Sequence, residues 1–343
     1  MASEQQIEIL QQDAVNLLRD LIQIKSYSTE EDTAAARVEQ FLDERNIPNS
    51  RLKNNVWVKG QYFDESRPTV LLNSHLDTVQ ANANWTRDPF GAEVDGDALY
   101  GLGSNDAGGP LVSLLAAFLY YHKSNELPFN LLFAATAEEE ISGDNGMVLA
   151  FPQFGRVDLA IIGEPSGMAL TIAERGHMTL EVLARGKSGH AGRENGVNAI
   201  TKALPDIQWF HNFRFPRESD ALGPVKMSVT KIHAGTSSNA IPDECRFVVD
   251  VRTTDQHQND EVLETIEANL ENEVRPMARH LKASRLPDRH PLIAAAKTLD
   301  LDIITSPTSS DQGLIDVPSV KIGPGQSERS HTSDEFIRIS EIY

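Results

Sequence analysis

Residues 133–146, "FAATAEEEISGDNG", end an apolar run in three adjacent glutamates, with glycines close behind. Neighbouring carboxylates repel one another, and solubility alone would scatter them, so the triplet implies a shared counter-charge. Partners for that role stand at the ends of other apolar runs: "TVLLNSHLD" delivers His75 and Asp77, and "LAIIGE" delivers Glu164. "GLGSNDAGGP" carries Asp106 in a glycine-rich loop before a helical pattern, with Pro110 suited to a first helical turn. Each residue has an ordinary alternative. A lone histidine after a strand is usually structural, a glutamate run is usually a solvated face, and an aspartate before a helix is usually an N-cap. Co-location favours function, because ligands of open α/β sheets bind beyond the carboxyl ends of the strands. Carboxylates with imidazoles suit a borderline divalent ion such as Zn²⁺, and several bridging-capable carboxylates suit two ions. Two such ions, roughly 3.5–4 Å apart in hydrolytic centres, would offset much of the repulsion.

Competing motifs fail on inspection. "ARGKSGH" has Glu181 where a phosphate-binding loop needs its first glycine, and "GLGSND" has Asp106 where a dinucleotide fingerprint needs its third. There is no HExxH, and "GEPSG" has Pro165 where a nucleophile elbow needs serine.

The elements that must position these residues follow from periodicity. Residues 5–25 repeat apolar positions at helical spacing, and a second helix is expected after "SYSTEED", where Ser or Thr can cap it. "NVWVKG", "TVLLNSH", "FNLLFAAT" and "LAIIGE" are short, nearly unbroken apolar runs that suit buried, mostly parallel strands, with helical patterns such as "PLVSLLAAFLYYHK" between them. From about Met168 the pattern changes to strand "GHMTLEVLARG", helix "GVNAITKALPDIQWFHNF", strands "VKMSVTKIHAG" and "CRFVVDVRTT", and a helix over "NDEVLETIEANLENEVRPMARH". "RHPLIAAAKTLDLDIITSP" resumes the first rhythm, and "SDEFIRISEIY" reads as a closing helix. The expected fold class is α/β, a mostly parallel-sheet catalytic domain over 1–167 and 282–343, with an inserted α+β domain over 168–281.

A chain of 343 residues, 40% hydrophobic, suits two domains. Its net charge of -19 argues against nucleic acid and anionic membrane surfaces as partners. One cysteine, Cys245, excludes an internal disulfide and agrees with a reducing compartment. The N-terminal stretch lacks a basic segment followed by an apolar one, and no run reaches about 18 apolar residues. The expected location is cytoplasmic.

The motifs "SHLDTV", "GLGSNDAGG", "TAEEEISG", "IIGEPS", "GKSGHAG", "NAIPDE", "VDVRTT" and "GPGQSERSHTSDEF", in that order over residues 70–338, together resemble the M20 metallopeptidase family, the acetylornithine deacetylase and succinyl-diaminopimelate desuccinylase group. That resemblance implies a zinc-peptidase fold whose inserted domain is ferredoxin-like and serves as lid and dimerisation surface. It implies two Zn²⁺ per subunit, with Co²⁺ able to substitute. His75 and Glu164 would complete one metal site and Glu140 and His331 the other, with Asp106 bridging. Asp77 would orient the His75 imidazole, and Glu139 would be the general base. His190 would act in the partner subunit's active site, and Arg252 and Asn239 would bind substrate. For these three the plainer alternatives are a turn residue, a surface ion pair and a strand cap. Ser310, in the loop "SPTSSDQG", is a further candidate for substrate contact.

The implied activity is removal of the acyl group from a small-molecule N-acyl amino acid by a homodimer. N-acetyl- or N-succinyl-ornithine, or the citrulline analogue, of arginine biosynthesis is favoured. Diaminopimelate desuccinylation, di- or aminopeptidase activity, and a non-catalytic binding protein on the same fold are the alternatives. One departure is "NDAGGP", where many members of the family read "DxKGG", with a lysine after the bridging aspartate. Within the triplet, Glu138 is expected to be the least committed, and a local bend is needed for Glu139 and Glu140 to face one centre.

Overall fold

The computed structural model describes residues 4–193 and 195–343, apart from the side chains of Arg279 and His280. The chain divides into two compact units. One comprises residues up to Ile172, Arg285–Ile304 and Ser310–Tyr343; the other is Ala173–Ser284 with Thr305–Ser309.

The first unit is built on a mixed sheet whose central strands are parallel. Thr69–His75 lies between Asn130–Thr136 and Leu159–Ile162, parallel to both, and Ser319–Lys321 extends the parallel set beside Leu159–Ile162. Asn55–Lys59, one of the apolar runs, instead joins Asn130–Thr136 antiparallel and turns back into Ser50–Leu52. The near-unbroken apolar runs have a direct cause. Leu72 and Phe133 face a core shared with the helices Glu4–Ile22 and Gly109–Tyr121, through Leu17, Leu18, Leu115 and Phe118. Leu71, Leu132 and Ala134 face a second core with Met147 and Phe154. A strand buried on both faces has no polar side to alternate with.

Two local readings of the sequence are corrected here. The second helix, Asp32–Asp43, follows Glu31 and has no side-chain cap from Ser or Thr. The C-terminal stretch is a strand, Phe336–Arg338, paired antiparallel with Ala98–Tyr100, and only then a short helix, Ile339–Ile342. Burial of Ile337 against that pairing outweighs the helical spacing.

The second unit runs strand Gly176–Arg185, helix Ala199–Asn212, strands Lys226–Ala234 and Glu244–Thr253, helix Asn259–Asn269 and strand Glu273–Leu281. Its sheet is antiparallel throughout, and its strands lie with the first and third inside and the second and fourth at the edges, the ferredoxin-like arrangement. Alternate residues Met178, Leu180, Val182 and Ala184, with Phe247, Val249 and Val251, meet Ala203, Phe210, Val262 and Ile266 of the helices in one core. The long helix expected over 259–280 is therefore two elements. Pro276 bars a helix interior and is tolerated where it stands, on an edge strand.

Candidate metal centre

Three adjacent parallel strands deliver their ends to one place: Thr69–His75 ends in His75, Asn130–Thr136 leads into the glutamate triplet, and Leu159–Ile162 leads to Glu164. His75 and Asp77 are buried. The His75 ring meets Asp77 through Nδ1, 2.9 Å from its carbonyl oxygen and 3.4 Å from Oδ1. That leaves Nε2 toward the acids, 3.3 Å from Asp106 Oδ1 and 4.0 Å from both Glu139 Oε2 and Glu164 Oε1.

The triplet does bend. Glu138 is left-handed, with φ 56°, and Glu139–Ile141 form a single tight turn. Three successive amides of this turn point at carboxylates, a concave anion-holding arrangement. Glu138 N donates to Glu31 Oε1 at 3.2 Å, Glu139 N to Asp77 Oδ1 at 3.0 Å and Glu140 N to Asp77 Oδ2 at 3.1 Å. Ser28 Oγ adds a bond to Asp77 Oδ2 at 2.7 Å. Asp77 thus orients both the imidazole and the turn. Glu138 is not the uncommitted member: it is buried, and its carboxylate accepts from Asn145 N at 3.0 Å and Asn145 Nδ2 at 2.9 Å. A glycine is needed at 146, where a Cβ would stand 1.9 Å from the Ala137 carbonyl.

Asp106 lies in a non-helical turn ahead of the helix Gly109–Tyr121, and its peptide bond to Ala107 is cis. It is not an N-cap: no side chain caps that helix. His331 comes from the C-terminal segment, with Nε2 2.9 Å from Glu140 Oε2 and 3.6 Å from Asp106 Oδ2.

Burial and mutual charge set the protonation of the cluster. Burial works against a charged His75, yet its bonds to Asp106 and Asp77 win and hold its pKa well above the ordinary value. Burial pushes Glu139 well up, reinforced by Glu164, Asp311 and Glu140 against the pull of His75. Glu140 is raised by burial, opposed by its bond to His331. Asp106 stays low despite burial because of His75. A buried cluster of acids and imidazole that favours added positive charge suits a cation. The donor atoms fit that role. His75, Asp106 and Glu140 form one set and His75, Glu139 and Glu164 another, each with donor atoms within 4.8 Å of one another. A cation with bonds of about 2.0–2.2 Å spans such a set after small side-chain shifts. Geometry alone lets Glu139 serve as a ligand or as a base beside the ligands.

In the second unit, the short strands Gly189–His190 and Ala240–Ile241 pair, so His190 stands opposite Ala240, next to Asn239. The His190 ring is exposed, and its Nδ1 accepts from Gly192 N at 3.1 Å. In the neutral ring the proton is then on Nε2, which makes that atom a donor. Asn239 is exposed and accepts from Ser237 Oγ at 2.7 Å. Arg252 has its fork on Asp250, Nε to Oδ1 at 2.9 Å and Nη2 to Oδ2 at 3.0 Å. In the first unit, Ser310 is buried and caps the turn Asp311–Leu314 by accepting from Gln312 N at 3.3 Å, so its hydroxyl is not displayed as a surface contact.

Two buried acids around the centre, Glu31 and Glu335, have no signal in the sequence, and Asp311, in the loop "SPTSSDQG", is buried there as well. Asp311 Oδ2 accepts from Asn73 Nδ2 and Thr136 Oγ1, both at 2.9 Å, tying the ends of two delivering strands. Its Oδ1 is buried with no hydrogen-bond partner among the described residues.

Residues 172–278 match the family model described as the M20 peptidase dimerisation domain. The chain is 27% identical over 274 residues to a succinyl-diaminopimelate desuccinylase of Ruegeria sp., covering 74% of this chain and 68% of the relative. It is 27% identical over 347 residues to a [LysW]-lysine/[LysW]-ornithine hydrolase of Sulfurisphaera tokodaii, covering 95% and 91%. An acetylornithine deacetylase of Edwardsiella ictaluri is 27% identical over 313 residues, covering 85% and 80%. Among solved structures, an M20 family metallo-carboxypeptidase from Sulfolobus solfataricus superposes with a TM-score of 0.75 at 16% identity, covering 96% of each chain. A dinuclear metal-binding M20 peptidase from Bacillus subtilis superposes with a TM-score of 0.71 at 19% identity, covering 98% and 94%. Residues 172–278 thus match the M20 peptidase dimerisation domain, and over most of its length the chain is similar to M20 metallopeptidases and related deacylases.

Proposed function

We propose that this protein is a two-zinc amidohydrolase that removes the acyl group from an N-acyl amino acid, with an N-acyl ornithine or citrulline of arginine biosynthesis as favoured substrate. The observation that carries the reading is the turn Glu138–Ile141. Held by Asp77, it gives two adjacent glutamates different surroundings, Glu140 against His331 and Glu139 beside the Nε2 of His75. Ornithine as the amine side is supported by two separate relatives whose names carry it.

Asp106, Glu140 and His331 would hold one ion, and His75, Glu164 and Asp106 the other. Bound divalent ions supply Lewis acidity, polarising the acyl carbonyl and acidifying water. Glu139 takes the proton of the water that attacks the carbonyl carbon, and later delivers it to the leaving amine nitrogen. Its burial suits both halves of that cycle, since a raised proton affinity lets one carboxyl act first as base and then as acid. His190 of the partner subunit donates from Nε2 to the carbonyl oxygen as negative charge develops there. Arg252 and Asn239 hold the substrate, with Arg252 turning toward the α-carboxylate part of a fork now shared with Asp250.

A homodimer is supported by the matched domain's description and by exposed Ile200, Leu204 and Ile232, the last on the edge strand Lys226–Ala234. No described helix is long and apolar enough to cross a membrane, in keeping with a cytoplasmic enzyme. A second reading, peptidase activity, is supported by fold neighbours such as the aminopeptidase of Bacillus cereus, with a TM-score of 0.75 at 18% identity.

Paired substitutions test the division of labour. Glu139→Gln is expected to keep two ions, measured by atomic absorption, while turnover falls about 10²–10⁴-fold. Glu140→Ala is expected to lose one ion first. The reverse pattern refutes the assignment.

A further inference from the structure

The loop bearing Asp106 and the segment bearing His331 are more than 220 residues apart in sequence, and two side chains lace them together without using either ligand. Glu335 is buried, and its carboxylate accepts three backbone amides of the loop: Asn105 N at 2.8 Å and Asp106 N at 2.9 Å on Oε1, and Gly103 N at 3.2 Å on Oε2. Its own carbonyl accepts Gly101 N at 3.0 Å. In the opposite sense, the buried side chain of Asn105 reaches into the segment ahead of His331. Its Nδ2 donates to the Gln326 carbonyl at 3.0 Å and Ser330 Oγ at 3.3 Å, and its Oδ1 accepts Gln326 N at 2.9 Å. The closeness has a sequence cost: Gly325, at φ 85°, leaves no room for a Cβ, which would stand 2.4 Å from Asn105 Oδ1.

The laced segment also holds unusual backbone. His331 and Asp334 both sit in the left-handed region, at φ 60° and 55°. Such residues persist where their surroundings over-determine them. A buried carboxyl group accepting three amides does that well, since those bonds replace the water that burial removes from both sides.

We infer that Glu335 and Asn105 are a pair of positioning residues that set Asp106 opposite His331 before any ion arrives, and so fix the affinity of the ion shared by Asp106, Glu140 and His331. This rests on the two-ion reading above. Neither residue touches an ion or substrate in this scheme. Glu335→Gln keeps size and shape but turns one acceptor oxygen into a donor facing backbone N–H groups. It is expected to loosen the loop and the His331 segment together, weakening the Glu140–His331 ion, which takes two ligands from the laced pair, more than the His75–Glu164 ion, which takes only Asp106 from it.

The test uses the full-length, chelator-stripped protein with Co²⁺ as probe, read by equilibrium dialysis, and hydrogen exchange of residues 103–106 without metal. Wild type is expected to bind two ions. Glu335→Gln is expected to bind one ion about 10–100-fold more weakly and the other with a smaller loss, with faster exchange at residues 103–106. Asp334→Asn serves as control, because Asp334 ties the same segment elsewhere, to Thr86 N and Arg87 N at 2.9 Å each; it is expected to bind both ions normally. Two normal ions and unchanged exchange in Glu335→Gln overturn the inference, as does equal weakening in Asp334→Asn. Should Glu335→Gln fail to fold, Asn105→Ala decides. Weakening of one ion with faster exchange across residues 326–331 supports the inference, and normal binding overturns it. If wild type itself binds fewer than two ions, the two-ion reading falls, and the exchange comparison alone supports or overturns the positioning role.

Discussion

Glu138, Glu139 and Glu140 are chemically identical and adjacent, yet each meets a different environment. The difference between Glu139 and Glu140 was legible in the sequence only through motif alignment. The role of Glu138 was not legible at all, because the groups that fix it are Glu31, 107 residues away, and Asn145, which fills its carboxylate. Sequence shows which residues carry charge, whereas commitment depends on partners brought in by folding. The same scale carries a pH prediction for the metal-free protein. His331 is pushed up to about 9 by its bond to Glu140, Glu335 to about 8 by burial and the Asp106 charge, and Asp311 to about 6 by burial. Their ordinary values are 6.5, 4.5 and 3.8. A proton held more tightly in the folded state stabilises below the unfolded pKa, and that stability is lost as pH rises through the folded value. All three therefore act in one direction, with the half-exposed His331 weighing least. The melting temperature of chelator-stripped protein is expected to fall between about pH 5 and pH 9 and to flatten when Zn²⁺ is restored. A rise over that range in the stripped protein contradicts the account.

At the scale of elements, the strand ends that build the centre were the most readable part of the chain. An apolar run of strand length that stops at His or Glu is a local signal, and His75, Glu139–Glu140 and Glu164 all fall on one. The stretch after Asn269 shows where local signals fail. Leu270, Val274, Met277 and Leu281 recur at helical spacing, but pairing with Gly176–Arg185 claims the segment for the sheet. Pro276 was the warning, outweighed by periodicity. The turn that carries the triplet is likewise held by tertiary partners. Glu31 accepts Thr29 N at 2.7 Å, Asn54 Nδ2 at 2.8 Å and Glu138 N at 3.2 Å while wholly buried. Glu31→Ala strands these donors, each costing about 1–3 kcal/mol when left unpaired. Denaturant titration is expected to show a loss of about 2–5 kcal/mol overall, with metal binding weakened as well. A variant with wild-type stability would mean that the turn holds its shape without Glu31.

For the whole molecule, the change from unbroken to alternating apolar runs near residue 170 announced a second kind of sheet, since a sheet covered on one face must alternate. What no single chain can announce is the partner. Dimer action through His190 makes a mixing prediction. Inactive His190→Ala and inactive Glu139→Gln proteins, once their subunits exchange, should recover up to about a quarter of wild-type activity, because half the dimers are mixed and each has one complete site. No recovery despite proven exchange would contradict action of His190 across the dimer.

The central claim is metal-dependent cleavage of an acyl–amine bond, and one measurement addresses it directly. Release of free amine is followed on a panel of N-acetyl- and N-succinyl-amino acids set against free dipeptides, with wild-type enzyme as purified, chelator-stripped and re-supplied with Zn²⁺. The account predicts cleavage of N-acyl ornithine or citrulline ahead of every dipeptide, lost on stripping and restored by Zn²⁺. Preference for dipeptides, or cleavage indifferent to the chelator, would contradict it.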